Sequence, residues 1–189
     1  EISACLVGSE MCIRDRSEGQ MAQRAKLTGG QAMYRMLKNS VLKEVNDIAA
    51  RENDKRSGYL WFLHANMNAF GADNYIDYSL LRLTAGSLQQ VFALEMTRAD
   101  EKRLELKWMN NSCTVTSQST DRLMVAAIFD DEPFTPVMLS GVKAVRKDGY
   151  AFVNLPEGEW QTVHLYCFFG MEGGKRYSPC VYFNVSKPE

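Results

Sequence analysis

Histidine is scarce in this chain of 189 residues; only His64 and His164 occur, each isolated in its local sequence. A zinc site needs three or four ligands, usually in close-spaced pairs, and the chain has no CxxC, HxxxH or HExxH. No Gly-x-Ser-x-Gly elbow is present to carry a nucleophilic serine. No apolar run approaches the roughly 18 residues that a membrane-spanning helix requires. Charge of one sign is missing too: 22 basic residues face 23 acidic ones, for a formal net charge of −1. That balance gives no electrostatic footprint for nucleic acid or for an acidic membrane surface. Five prolines and 13 glycines exclude collagen-like and low-complexity readings.

What is present is globular material, 46% hydrophobic, 24% charged and 11% aromatic. The first sixteen residues stand apart. Residues 6–15 back-translate, in one frame, to a string resembling a transposase adapter used in sequencing libraries, and Arg16 is compatible with its continuation. A secretory signal is the competing reading, but it needs a basic start and an apolar core of about 7–15 residues. Here the first charge is acidic and the longest apolar run is residues 4–7. Residues 1–16 are therefore set aside as adapter-derived, which leaves 20 basic against 20 acidic residues and three cysteines, Cys113, Cys167 and Cys180.

From Ser17 the pattern is helical. Ser17 followed by Gln20 has the form of a capping box. Met33, Leu37, Val41 and Val45 recur every four residues, widened by Tyr34, Met36 and Ile48, which is the stripe of a half-buried helix. Gly29 and Gly30 interrupt it at a cost of about 2 kcal/mol relative to alanines, so a kink or break is expected there. Residues 51–57 form a polar linker. Residues 59–63 are apolar on every side and predict a second, buried helix closing near Phe70. The expected unit is a helical hairpin, residues 17–86 including its connector.

After Asp73 the period changes to two. Leu104, Leu106 and Trp108 face one way while Arg103, Glu105 and Lys107 face the other. Strands are expected at 90–96, 103–108, 123–129, 137–139, 150–155, 163–169 and 178–185, separated by Gly, Pro, Asn and Asp turn signals. Seven short strands in about 100 residues, with a tryptophan on the second, is the arithmetic of an immunoglobulin-like sandwich. With Trp108 on the second strand and Tyr166 on the sixth, it resembles the fibronectin type III variant. The fold class is thus α+β: a helical hairpin, then an antiparallel β-sandwich over residues 87–189.

Residues 23–26 (Gln-Arg-Ala-Lys), 68–70 (Asn-Ala-Phe), 76–79 (Ile-Asp-Tyr-Ser) and 86–88 (Gly-Ser-Leu), with the C-terminal sandwich, resemble an uncharacterised family of Bacteroidota proteins also met in phage-related contexts. Members of that family open with a glycine-rich basic segment that this chain does not show, and Gly29-Gly30 and the short stretch 71–75 depart from the pattern. The resemblance supports the architecture and implies no activity.

The search for chemistry returns little. His64 in the apolar helix and His164 in a strand read as satisfied structural histidines. Strand parity sends Cys167 and Cys180 to opposite sides of one sheet, which predicts three free thiols. Residues 170–175 look superficially like a phosphate loop, but Arg176 occupies the Ser/Thr position and the segment joins two strands, so it is a hairpin turn. Residues 130–132 are three acids before a proline, a solvated loop more than a Ca²⁺ site. No metal and no cofactor is expected. A hydrolase built on Asp130, Asp131 or His164 ranks third among functions, because nothing orients a nucleophile.

One feature stands above background. In a fibronectin-like sandwich the third, sixth and seventh strands are neighbours, and their outer faces would carry Met124, Ala126 and Ile128, then His164, Tyr166 and Phe168, then Cys180 and Tyr182. An outer face is normally polar, and this one is at or beyond the largest apolar patch usual for a monomer. Either the helical segment of the same chain or another protein covers it. The leading functional expectation is a non-enzymatic structural or interaction module, a virion or surface-assembly component, that contacts a partner or a second copy through Met124, Ile128, His164, Tyr166, Phe168 and Tyr182. The alternative is an adhesion or glycan-binding module using loop aromatics, Trp160 first, with Tyr150 and Tyr177.

Overall fold

The computed structural model describes residues 17–100 and 102–187; the segment set aside above, residues 1–16, lies outside them. Three helices come first: α1 (Glu18–Met36), α2 (Val41–Glu52) and α3 (Gly58–Asn66). Seven strands follow: β1 (Phe92–Arg98), β2 (Arg103–Met109), β3 (Arg122–Phe129), β4 (Val137–Met138), β5 (Tyr150–Asn154), β6 (Thr162–Gly170) and β7 (Val181–Ser186).

Ser17 caps α1, accepting from the Gln20 backbone N–H at 3.4 Å. The helix then runs unbroken through Gly29 and Gly30, which corrects the expected kink. The two glycines serve packing instead. A Cβ at Gly29 would lie 2.9 Å from Phe70 Cδ1, and one at Gly30 would lie 2.7 Å from Leu63 Cδ2. The chain breaks later, at a 3-10 turn (Leu37–Asn39) followed by Ser40 in an extended conformation, φ −120° and ψ 160°. The four-residue stripe passes through this break, with Met33 and Leu37 on one side and Leu42, Val45 and Ile48 on the other, all buried. The helical segment thus has three helices where a two-helix hairpin was expected. Gly58 lets α3 start against α2, since a Cβ there would sit 2.5 Å from Asp47 Oδ1. Helix α3 is not apolar on all sides in space: Phe62 and Leu63 are buried, whereas Leu60 and His64 face solvent.

A connector, residues 67–91, then runs back over the sandwich. Buried asparagines fasten it. Asn46 Nδ2 donates to the Leu83 carbonyl at 3.2 Å, and Asn66 exchanges bonds with Arg82, at 3.1 Å to its carbonyl and 2.6 Å from its N–H. On the sandwich side, Thr84 Oγ1 donates to the Ser178 carbonyl and the Leu88 N–H to that of Tyr177.

All seven strands fall where period-2 alternation puts them, within three residues at either end. They form two antiparallel sheets, one in the order β1-β2-β5 and one in the order β4-β3-β6-β7. The third, sixth and seventh strands are neighbours, as a fibronectin-like sandwich requires. Two cores result. The first lies between the sheets and contains Leu104, Leu106, Trp108, Val125, Val163, Leu165, Cys167 and Phe169. The second lies between the outer face of the four-stranded sheet and the helices, where Met33, Leu42, Val45 and Phe62 meet Ala126, Ile128, Tyr166 and Phe168.

Candidate interaction surface

The face singled out from the sequence has the predicted membership. Ala126, Ile128, Tyr166 and Phe168 all lie in the second core, with Met124, Cys180 and Tyr182 packed against it. What covers it is the same chain, so it is not an open surface for a partner. Helices bring Leu42, Val45 and Phe62 onto it, and the connector brings Ile76, Leu81 and Leu83. The polar atoms on this face are matched from within. Tyr166 Oη donates to the Tyr78 carbonyl at 2.9 Å, and burial drives its phenol well above the usual tyrosine range. His164 stacks on Tyr78, with ring centroids 3.7 Å apart and planes 10° apart, and its Nδ1 lies 2.9 Å from Tyr182 Oη. Burial lowers the His164 pKa, opposed by the nearby charge of Asp130. His164 is therefore a satisfied structural histidine, whereas His64 is exposed. Met124 reaches the surface at one edge of the face, in an apolar groove of about 580 Å³ where Met36 and Val41 approach β4.

Two of the three aromatics considered for sugar stacking are inside the protein. Trp160 is 5% exposed, packed in the first core with its indole N–H on the Pro156 carbonyl at 3.1 Å. Tyr177 is 3% exposed and lies in the second core beside Phe168. Loop positions have no alternation to reveal which way they point, and both turn inward. Tyr150 alone remains outside.

The open surface is on the other sheet. On the outer face of β1-β2-β5, Phe92, Met109, Tyr150 and Phe152 are each 40–63% exposed. Register joins them: Phe92 pairs with Met109, Lys107 with Tyr150 and Glu105 with Phe152. The rings of Tyr150 and Phe152 meet edge to face at 74°, and the Arg103 guanidinium sits 3.9 Å over the Phe152 ring. Lys107 pairs with Glu105 at 2.9 Å across the middle of the face. Alternation in 150–154 (Tyr150 and Phe152 out, Ala151 and Val153 in) was the sequence signal for this cluster. The strand expected at 150–155 carries that parity, but its place beside β2, on one face with Met109, is not written in the sequence.

The remaining chemistry-bearing groups are structural. Asp130 is a loop residue with a job, its carboxylate accepting from the Gln161 and Thr162 N–H groups at 2.9 and 3.0 Å. Cys113 is exposed, Cys167 is buried in the first core and Cys180 packs against the second, and none is bridged. The burial of Cys167 raises its thiol pKa far from the thiolate range, so it has no nucleophilic character. Arg146 is fully buried and gathers three segments: Nε to Asp121 at 3.0 Å, and Nη1 to Asn111 Oδ1 and Nη2 to the Gln89 carbonyl, both at 2.6 Å. Burial lowers its pKa and Asp121 opposes that shift. Among the described residues no three His, Cys, Asp or Glu side chains gather as metal ligands, and no helix is long and apolar enough to cross a membrane.

Over residues 6–184 the sequence matches the profile described as a family of unknown function (DUF6266). The chain belongs to that family. It matches no curated protein. Among solved structures it is similar to a computer-redesigned β-sandwich protein at 15% identity, with a TM-score of 0.36 over 53% of this chain and 90% of that one. It is also similar to the FN1–FN3 domains of chicken CNTN1 at 6% identity, with a TM-score of 0.39 over 56% of this chain and 34% of that one. The fn3 domain of human contactin 1 matches at 7% identity, with a TM-score of 0.34 over 56% of this chain and 82% of that one. The fold rests on the strand order described above.

Proposed function

We propose that the protein is a non-enzymatic assembly module that makes protein contacts through the outer face of its three-stranded sheet. The observation that carries this reading is the cluster of Phe92, Met109, Tyr150 and Phe152, exposed together on a sheet face whose other members are polar or charged. Exposed apolar side chains gathered on one sheet face, here with the Lys107–Glu105 pair among them, mark a protein contact site. The helices, having spent their apolar stripe on the opposite sheet, make sandwich and helical segment one unit. The resemblance to phage-associated proteins is what suggests a virion or surface structure as the assembly. The glycan reading keeps only Tyr150, whose nearest aromatic neighbour is set edge to face and so offers no flat stacking platform.

Light scattering coupled to gel filtration tests the proposal. A discrete oligomer is expected on concentration, lost when Phe92, Met109 and Tyr150 are together changed to Ser. These side chains are exposed, so the variant keeps its fold, checked by circular dichroism. A chain that stays monomeric at every concentration overturns the reading.

A further inference from the structure

A sandwich has four strand edges, and an unguarded edge is a template for another strand. Three are guarded here. Strand β1 carries a register irregularity between Phe92 and Glu95, with Ala93 at φ 48°, and bears Glu95 and Arg98. Strand β4 is two residues long. On β7 the Arg98 side chain donates to the Ser186 carbonyl, and Gln90 Nε2 donates to the Pro179 carbonyl just before the strand.

Strand β5 has none of these devices. It reads Tyr-Ala-Phe-Val-Asn, five residues with no charge, no proline and no bulge. The bonds from the Leu155 N–H to the Lys102 carbonyl and from the Trp108 N–H to the Gly149 carbonyl fix which residues face β2. By alternation Ala151 and Val153 bond inward. The main-chain groups of Tyr150, Phe152 and Asn154 point away from the sheet, and no hydrogen bond from the rest of the described chain reaches them. A groove of about 420 Å³ between β5 and Gly141, Lys143 and Ala144 leaves that edge accessible.

We propose that β5 pairs antiparallel with β5 of a second copy, about a two-fold axis at Phe152, joining the two three-stranded sheets into one of six strands. This inference rests on the assembly reading above and places the self-contact at the β5 side of that sheet, where Tyr150 and Phe152 lie, leaving Phe92 and Met109 outside it. In this register Phe152 faces Phe152, and Tyr150 faces Asn154 at both ends. Each of these pairs exchanges two main-chain bonds. Ala151 and Val153 meet on the inner face, extending the apolar side of the sheet. No charged residue opposes its like. Beyond the strand ends, the end of one copy that carries Lys143, Lys147 and Asp148 meets the end of the other that carries Glu157 and Glu159, with Lys102 already paired to Glu157, so a net positive end meets a net negative one. An isologous contact of this kind closes on itself and stops at two. Five residue pairs along one strand edge bury well under the roughly 800 Å² per partner of a standard interface, so the dimer is weak and forms only on concentration.

The two-fold axis supplies the test, because residue 152 must lie opposite itself. Sedimentation velocity on the whole chain should show monomer passing to dimer as concentration rises. Phe152→Lys and Phe152→Glu should each remain monomeric at concentrations where the parent chain is mostly dimer, and an equimolar mixture of the two should restore a one-to-one dimer. Unchanged thermal melting of each variant shows that the fold survives. In the parent dimer the Phe152 amide should exchange with solvent markedly more slowly than in the monomer. An oligomer indifferent to both Phe152 variants but lost with Phe92→Ser and Met109→Ser overturns edge pairing and leaves the assembly reading standing. A mixture that stays monomeric overturns the two-fold register, and a chain monomeric throughout overturns both proposals.

Discussion

On the four-stranded sheet the outward residues of β6 are His164, Tyr166 and Phe168, whereas on the three-stranded sheet those of β2 are Arg103, Glu105 and Lys107. Both sheets obey one alternation, apolar toward the shared core. They differ in what lies over the second side. The helices and connector lie on the first, and its outward positions have become a second core. Solvent lies on the second, and its outward positions are polar or charged except for four apolar residues at one end and along β5. An apolar outer face therefore reports a cover and does not say whose. Two fully apolar helix stripes in the same chain were the sign that the cover was internal.

The sharpest way to break this comparison is to make the same substitution on both faces. Phe168 is fully buried on the covered face and Phe152 is 40% exposed on the open one. Phe168→Ala should cost about 3–5 kcal/mol, the usual price of an aromatic cavity. Phe152→Ala should cost about 1 kcal/mol, the loss of its Tyr150 and Arg103 contacts at an exposed site. Urea unfolding of the dilute, monomeric chain measures both. Equal losses would mean that the helices do not hold the covered face as described.

A smaller effect sharpens how that cover is seated. Gly29 lies where α1 crosses the Phe70 ring, and Gly19 has nothing within 4 Å of a built Cβ. Helix propensity favours alanine over glycine by up to about 1 kcal/mol at either position. Gly19→Ala should therefore be neutral to stabilising. Gly29→Ala should be destabilising by about 1–2 kcal/mol, since an aromatic ring cannot yield as a flexible chain end can. A Gly29→Ala chain with raised stability would show that α1 has room to move off residue 70.

Strand positions were legible to within three residues because burial on one face writes itself into period two. The same parity correctly separated Cys167 from Cys180 and identified Ile128, Tyr166 and Phe168 as one apolar surface. Helix geometry was less legible. A four-residue spacing continues through the break at Leu37–Asn39, so the stripe hid it, and Gly29-Gly30 looked like a break because propensity says nothing about what packs against a glycine. Trp160 and Tyr177 lie in loops, which have no period, so nothing in the sequence shows that both are buried. The Arg146–Asp121 pair spans 25 residues and leaves no local pattern at all. The open cluster needed two facts at once, the parity of β5 and its place at a sheet edge. Only the first is written in the sequence.

The smallest expected effect concerns the seam between cover and sheet. His164 is stacked on Tyr78 of the connector, and its burial holds its pKa below the ordinary histidine value of about 6.5. In mildly acid solution the unfolded chain therefore binds more protons at this position than the folded one, so the His164 contribution to stability is present above about pH 6.5 and is lost as pH falls toward the lowered folded value. Asp130 pulls the other way. His164→Phe keeps an aromatic ring against Tyr78 and removes the titration, so the difference in unfolding free energy between parent and variant isolates this one group from every carboxylate in the chain. That difference should move in favour of the variant between pH 7.5 and pH 5. A difference that does not change with pH would mean that Tyr78 leaves the imidazole solvated, and one that moves in favour of the parent in acid would mean that the charge of Asp130 outweighs the cost of burying an imidazolium beneath the connector.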